Sequence, residues 1–73
     1  MKINKNHVYI SEHGRRFYTA QVVDSYEGTT HDQTVIFEER GDDLSPRVVD
    51  YYYGEPQFVY TKVYVDAWIA NGN

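Results

Sequence analysis

The sequence predicts a mainly β domain: five short antiparallel strands in a small barrel or twisted sheet, finished by a short C-terminal helical turn. Two observations carry this. Tyrosine occurs eight times in 73 residues and leucine once, at Leu44, while Val, Thr, Ile and Phe are plentiful. That bias suits a pleated surface better than a helix. Apolar runs also recur about every ten residues, separated by Gly, Asp, Ser and Pro clusters, as in small all-β folds.

Taken in order, "HVYI" (7–10) is a short alternating run and the first expected strand. "SEHGRR" follows as a turn in which Gly14 is free to take positive φ. "RFYTAQVVDSY" (16–26) reads as one long strand. Phe17, Thr19, Gln21 and Val23 share one face; Tyr18, Ala20, Val22, Asp24 and Tyr26 share the other. Both faces carry apolar groups, which predicts a bend or bulge within it. "EGTTHD" (27–32) is a polar turn around Gly28, and "QTVIFEE" (33–39) is the third strand. "RGDDLSP" (40–46) is the clearest loop. "RVVDYYY" (47–53), "GEP" (54–56) and "QFVYTKV" (57–63) read as strand, turn, strand. In "VDAWIANGN", Asp66 is an expected helix cap, Trp68 and Ile69 pack back, and Asn71-Gly72 is a natural stop.

This pattern resembles an SH3-like barrel. Along most of its length the chain is also similar to small accessory proteins of phages and prophages. Those share the "YTAQVVD…TVIFEERGDD" strand–turn–strand and a closing aromatic, as in "VDAWI". The resemblance implies a host-directed modulator and brings no functional residue with it.

A chain of this size is one domain, 1–73. Folding buries roughly 4,500 Å² of apolar surface, worth about 110 kcal/mol at about 25 cal/mol per Å². Ordering the chain costs about as much, near 1.5 kcal/mol per residue. Stability is therefore expected to be marginal, and no cysteine is present to add a disulfide or a thiolate–zinc site. A homodimer is one expected reinforcement. No apolar run of membrane-spanning length occurs, and "MKINKNHVYI" lacks the apolar core of a signal peptide. A cytoplasmic setting is expected, that of the host cell if the chain is phage-encoded.

In the tyrosine run, strand alternation sends Tyr51 and Tyr53 one way and Tyr52 the other. One set joins the core and the other forms a contact surface, since tyrosine offers a large, stiff side chain with a polar tip. Net charge is −4 and uneven: +3 over residues 1–23 and −7 over 24–73. The acids gather at predicted turns. They suggest a surface that steers the chain onto a basic partner.

The expected partner-binding residues are thus Asp32, Glu38, Asp42, Asp43, Tyr51, Tyr52 and Tyr53, with Tyr26 or Tyr60 as further anchors. The expected function is a non-enzymatic interaction module that occludes a larger, nucleic-acid-binding host protein. Two alternatives stand beside it. One is a nucleic-acid module using Lys2, Lys5, Arg15 and Arg16 as a basic edge with Phe17 and Tyr18 for stacking. Acids flank the tyrosines, and phosphate affinity comes mainly from Lys and Arg, so this is disfavoured. The other is a self-assembling structural subunit.

No P-loop, nucleophile elbow, dinucleotide fingerprint, H-E-x-x-H or EF-hand loop occurs. His7, His13 and His31 are scattered. Glu38, Glu39, Asp42 and Asp43 form at most a weak site for a hard cation. Neither enzymatic activity, a metal nor a cofactor is expected.

Overall fold

The computed structural model describes residues 2–39 and 46–73, and of their side chains all but those of 2–7, 24 and 26. Four strands, β1 (Lys2–Ile10), β2 (Arg16–Tyr26), β3 (Thr29–Glu38) and β4 (Arg47–Tyr53), precede one helix, α1 (Phe58–Ala70). The strands pair antiparallel in sequence order in one open sheet of four, where five strands in a barrel or twisted sheet were expected.

β2 and β4 begin and end where their apolar runs do. β1 and β3 are longer than expected. β3 starts at Thr29 because the turn before it contracts to Glu27 and Gly28, both at positive φ (53° and 75°). That is the backbone of a two-residue hairpin whose twist matches its strands. From Phe17↔Glu38 to Tyr26↔Thr29 the β2–β3 register is unbroken, so β2 holds no bulge against β3. The irregularities fall in its neighbours, between Asn4 and Tyr9 against β2 and between Ile36 and Phe37 against β4. The β2–β3 hairpin runs on past the residues paired to β1 and β4, which contributes to an elongated molecule of 42 × 24 × 22 Å.

The expected fifth strand is the main correction. Residues 58–63 open α1, a helix of 13 residues, and Asp66 lies inside it rather than capping it. Aromatic and β-branched residues favour strand locally, but packing decides. Thr61 and Val65 are buried, and Trp68 and Ile69 pack beside them, a spacing of i, i+4, i+7, i+8. Pro56 precedes an extended N-cap at Gln57. The cap is completed from β4: the Gln57 amide donates to the Tyr52 hydroxyl at 3.0 Å. The Tyr52 and Thr61 hydroxyls lie 2.9 Å apart, and Thr61 Oγ1 donates to the Gln57 carbonyl at 2.9 Å. The helix stops as expected, with Gly72 at φ 95° and its amide donating to Ile69.

The core lies between α1 and one face of the sheet. It consists of Tyr9, Phe17, Ile36, Tyr52 and Val65, with Val49, Trp68 and Ile69 against it. Tyr52 stacks on Tyr64 at 5.6 Å and meets Tyr60 edge-on at 5.7 Å. Phe17 meets Trp68 edge-on at 6.1 Å.

Candidate functional site: the uncovered sheet face

The sheet face opposite α1 is built by the second parity of each strand. The register places Tyr18, Phe37 and Val48 in one row, Ala20, Val35 and Tyr51 in the next, and Val22, Gln33 and Tyr53 in a third. None of these nine side chains is charged. An antiparallel sheet with one packed face normally turns polar residues outward. Here Tyr51 (51% exposed), Tyr53 (57%) and Val48 (60%) stand open. Tyr51 and Tyr53 meet edge-on at 6.1 Å, and His31 lies 6.1 Å from Tyr53. Ala20 has no accessible surface although no helix covers it, so its neighbours close into a continuous layer. A hydrogen bond to Glu39, then burial, holds the Tyr18 phenol above its usual pKa.

The β4 edge beside this face is blunted. The Tyr51 amide donates to Oδ1 of Asp50 at 2.8 Å, which occupies an edge donor that an added strand would need. The face, rather than the edge, is the surface on offer.

The expected site residues divide. Tyr51 and Tyr53 lie together on this face. Tyr52 is buried on the other, and Asp32 is exposed on the projecting hairpin. Glu38 is buried and ion-paired: Arg15 Nε donates to Oε2 at 2.6 Å and Nη2 to Oε1 at 2.9 Å. Asp42 and Asp43 lie outside the described residues, as does the side chain of Tyr26. Tyr60 is on α1, half exposed.

Of the alternative basic edge, Arg15 and Phe17 are engaged within the fold. Arg15 is held by Glu38, by the Asn73 backbone oxygen at 2.7 Å and over the Trp68 ring at 5.3 Å. Its hydrogen bonds to Glu38 raise its pKa against the opposing effect of burial. Phe17 is fully buried and unavailable for stacking. The side chains of Lys2 and Lys5 are not described.

Sequence reasoning missed a groove of about 560 Å³ between α1 and the β1–β2 turn, lined by Tyr9, Glu12, His13, Lys62 and Asp66 among others. Asp66 accepts from Tyr9 at 3.0 Å and from Lys62 at 2.7 Å. Those two bonds hold the Asp66 carboxyl below its ordinary range. Burial and the bond to Asp66 raise Tyr9, and the same carboxylate raises Lys62. Near neutral pH the carboxylate is thus ionised, the amine charged and the phenol protonated. These are the resting forms of a tether between helix and sheet, not of a primed base or nucleophile. The i,i+4 spacing of Lys62 and Asp66 was the readable signal, hidden by the strand assignment.

The sign of the pH effect follows. A carboxyl whose folded pKa is depressed contributes stability above its unfolded pKa, and loses it as pH falls through the folded one. NMR titration of Asp66 is expected to show a midpoint below 3.8. Asp66→Asn is expected to remove this part of the acid dependence of melting. A midpoint at or above 3.8 would mean that the tether does not form.

Among the described residues no group of three or more His, Asp or Glu is arranged to hold a metal ion, and no helix is long and apolar enough to cross a membrane. No protein-family model, curated protein or solved structure matches the chain. The functional reading therefore rests on its own geometry.

Proposed function

We propose that this chain is a small, non-enzymatic protein-interaction module whose contact surface is the uncovered sheet face, anchored by Tyr51 and Tyr53. The supporting observation is the three rows of uncharged, aromatic-rich side chains on a face that such a sheet usually gives to solvent. Interface cores are depleted in charge and enriched in tyrosine. The fuller form of the proposal is a phage-type modulator in the host cytoplasm that docks on a larger, nucleic-acid-binding protein. Its steering acids would be Asp32, exposed on the projecting hairpin, with Asp42 and Asp43 as the sequence suggests. Glu38 has no part in it, because its carboxylate is committed to Arg15.

The test is capture from a lysate by the tagged chain, beside Tyr51→Ser/Tyr53→Ser and Asp42→Asn/Asp43→Asn variants. A stoichiometric band lost with the tyrosines and weakened with the aspartates is expected. Capture indifferent to the tyrosines, or recovery of nucleic acid, would overturn the reading.

A further inference from the structure

We propose that Asn71 is a covalent modification site. Its side-chain amide converts to a carboxylate through a succinimide formed with Gly72, and Arg15, held by Glu38, latches the end of α1 and so sets the rate.

Asn71 is the one asparagine that precedes a glycine; Asn4 precedes Lys5 and Asn6 precedes His7. Glycine has no side chain to shield its amide nitrogen or restrict its backbone. Asn71 and Gly72 are exposed, and a Cβ at Gly72 would meet nothing within 4 Å, so water reaches both. The Gly72 nitrogen, deprotonated by hydroxide, attacks Cγ of Asn71. The Cγ–Nδ2 bond breaks, and Nδ2 leaves as ammonia with a proton from water. Water then opens the ring. Attack at Cγ gives aspartate at position 71. Attack at the main-chain carbonyl gives isoaspartate, with Gly72 joined through Cγ. One water is taken up and one ammonia released.

The fold holds the reactants apart. Ring closure requires the Gly72 nitrogen to eclipse Cβ of Asn71 about the Cα–C bond. At ψ 8° it eclipses the Asn71 amide nitrogen instead. The Gly72 N–H donates to the Ile69 carbonyl at 3.0 Å and the Asn71 N–H to Ala67 at 3.1 Å. Reaction waits on opening of this cap, a local event with its own free energy. Two further bonds oppose opening. Asn73 Nδ2 donates to the Trp68 carbonyl at 3.0 Å, and Arg15 Nη1 to the Asn73 backbone oxygen at 2.7 Å.

The product works against the cap. It adds a negative charge at the C-terminal end of α1, where the helix dipole disfavours it. Isoaspartate also adds one carbon to the main chain before Gly72, which moves Asn73 relative to Trp68 and Arg15.

The purified chain, native and in urea, is held in mildly alkaline buffer while ammonia release and isoaspartate at position 71 are followed, the latter by peptide mass mapping. Native conversion is expected to be at least about tenfold slower than in urea. Arg15→Ala is expected to speed native conversion at least about threefold, as for the loss of one hydrogen bond. Tyr52→Phe, which loosens the first turn of α1, is expected to leave it unchanged. Each rate is divided by that variant's rate in urea, and far-UV circular dichroism checks each fold. Asn73→Ala, which removes only the side-chain bond to Trp68, replaces Arg15→Ala if that variant unfolds. Asn71 staying intact in urea, or in native Arg15→Ala, overturns the site. Native conversion as fast as in urea, or equal acceleration by Tyr52→Phe, overturns control by the latch. The modified chain, separated by ion exchange, is expected to exchange its Gly72 amide hydrogen faster than the unmodified one. Equal exchange overturns the effect of the product on the cap.

Discussion

Tyr52→Ala is expected to cost about 3–5 kcal/mol, as for other large aromatics removed from a core. Tyr51→Ala, one residue away, is expected to change stability by about 0.5 kcal/mol or less. The contrast comes from the strand period. Tyr52 is 6% exposed, lies between β4 and α1, and contacts both Tyr60 and Tyr64. Tyr51 is half exposed on the opposite face. A domain of this size has roughly 4–11 kcal/mol in total, so Tyr52→Ala removes a large share of it and should lower the melting temperature strongly. Tyr52→Phe isolates the hydroxyl. It keeps the ring but removes the acceptor used by the Gln57 amide and the partner of Thr61. A loss of about 1–3 kcal/mol is expected, with the first turn of α1 fraying first. Thermal melts decide it. Equal effects of Tyr51→Ala and Tyr52→Ala would mean that 47–53 is not a strand with one face in the core.

The strands were legible because each side of the sheet reads at a period of two and each hairpin carries its glycine. β2 and β4 could be read to the residue. The helix was not, because "QFVYTKV" satisfies both periods. Phe58 and Tyr60 alternate as in a strand, and Thr61, Val65 and Trp68 recur as in a helix. In the helical set Thr61 and Val65 are buried and Trp68 partly so, while Phe58 and Tyr60 stay half exposed, and burial depends on what the segment meets. Pro56 was also read as part of a turn when it stands just before a helix cap.

The candidate site was legible in one respect and hidden in two. Alternation alone separated Tyr51 and Tyr53 from Tyr52. It could not show that the face of Tyr51 and Tyr53 stays uncovered, because that depends on which side of the sheet α1 takes. Nor could charge counting show which acids face solvent. "FEERGDD" presents Glu38 and Glu39 as equals, yet only Glu38 shares the inward parity of Ile36. Its partner Arg15 lies 23 positions away, brought near by the β2–β3 register.

Glu38→Ala is accordingly expected to lower stability by about 2–3 kcal/mol, against no more than about 0.5 for an exposed acid. Removing one member of a fully buried pair costs about 3–5 kcal/mol, and the lower figure reflects the partial exposure of Arg15. The Glu38 side chain is 12% exposed and that of Arg15 28%. Without the carboxylate, the guanidinium is left against Phe17 and Trp68 with one remaining anchor, the Asn73 oxygen. Arg47 lies over the same indole at 5.2 Å, so Trp68 would carry two guanidinium groups without the Glu38 carboxylate. As the chain's one tryptophan, Trp68 reports the change directly: its emission should shift to longer wavelength as the end of α1 lifts. Glu38→Gln keeps one hydrogen-bond acceptor and should lose less than Glu38→Ala. Arg15→Lys, which gives up the bidentate fork, should also weaken the latch. Because the pair is mostly shielded, salt should reproduce little of the loss. If Glu38→Ala melts with wild type and leaves the tryptophan emission in place, the latch does not hold the helix. Glu38 would then return to the surface acids with which its sequence neighbours first grouped it.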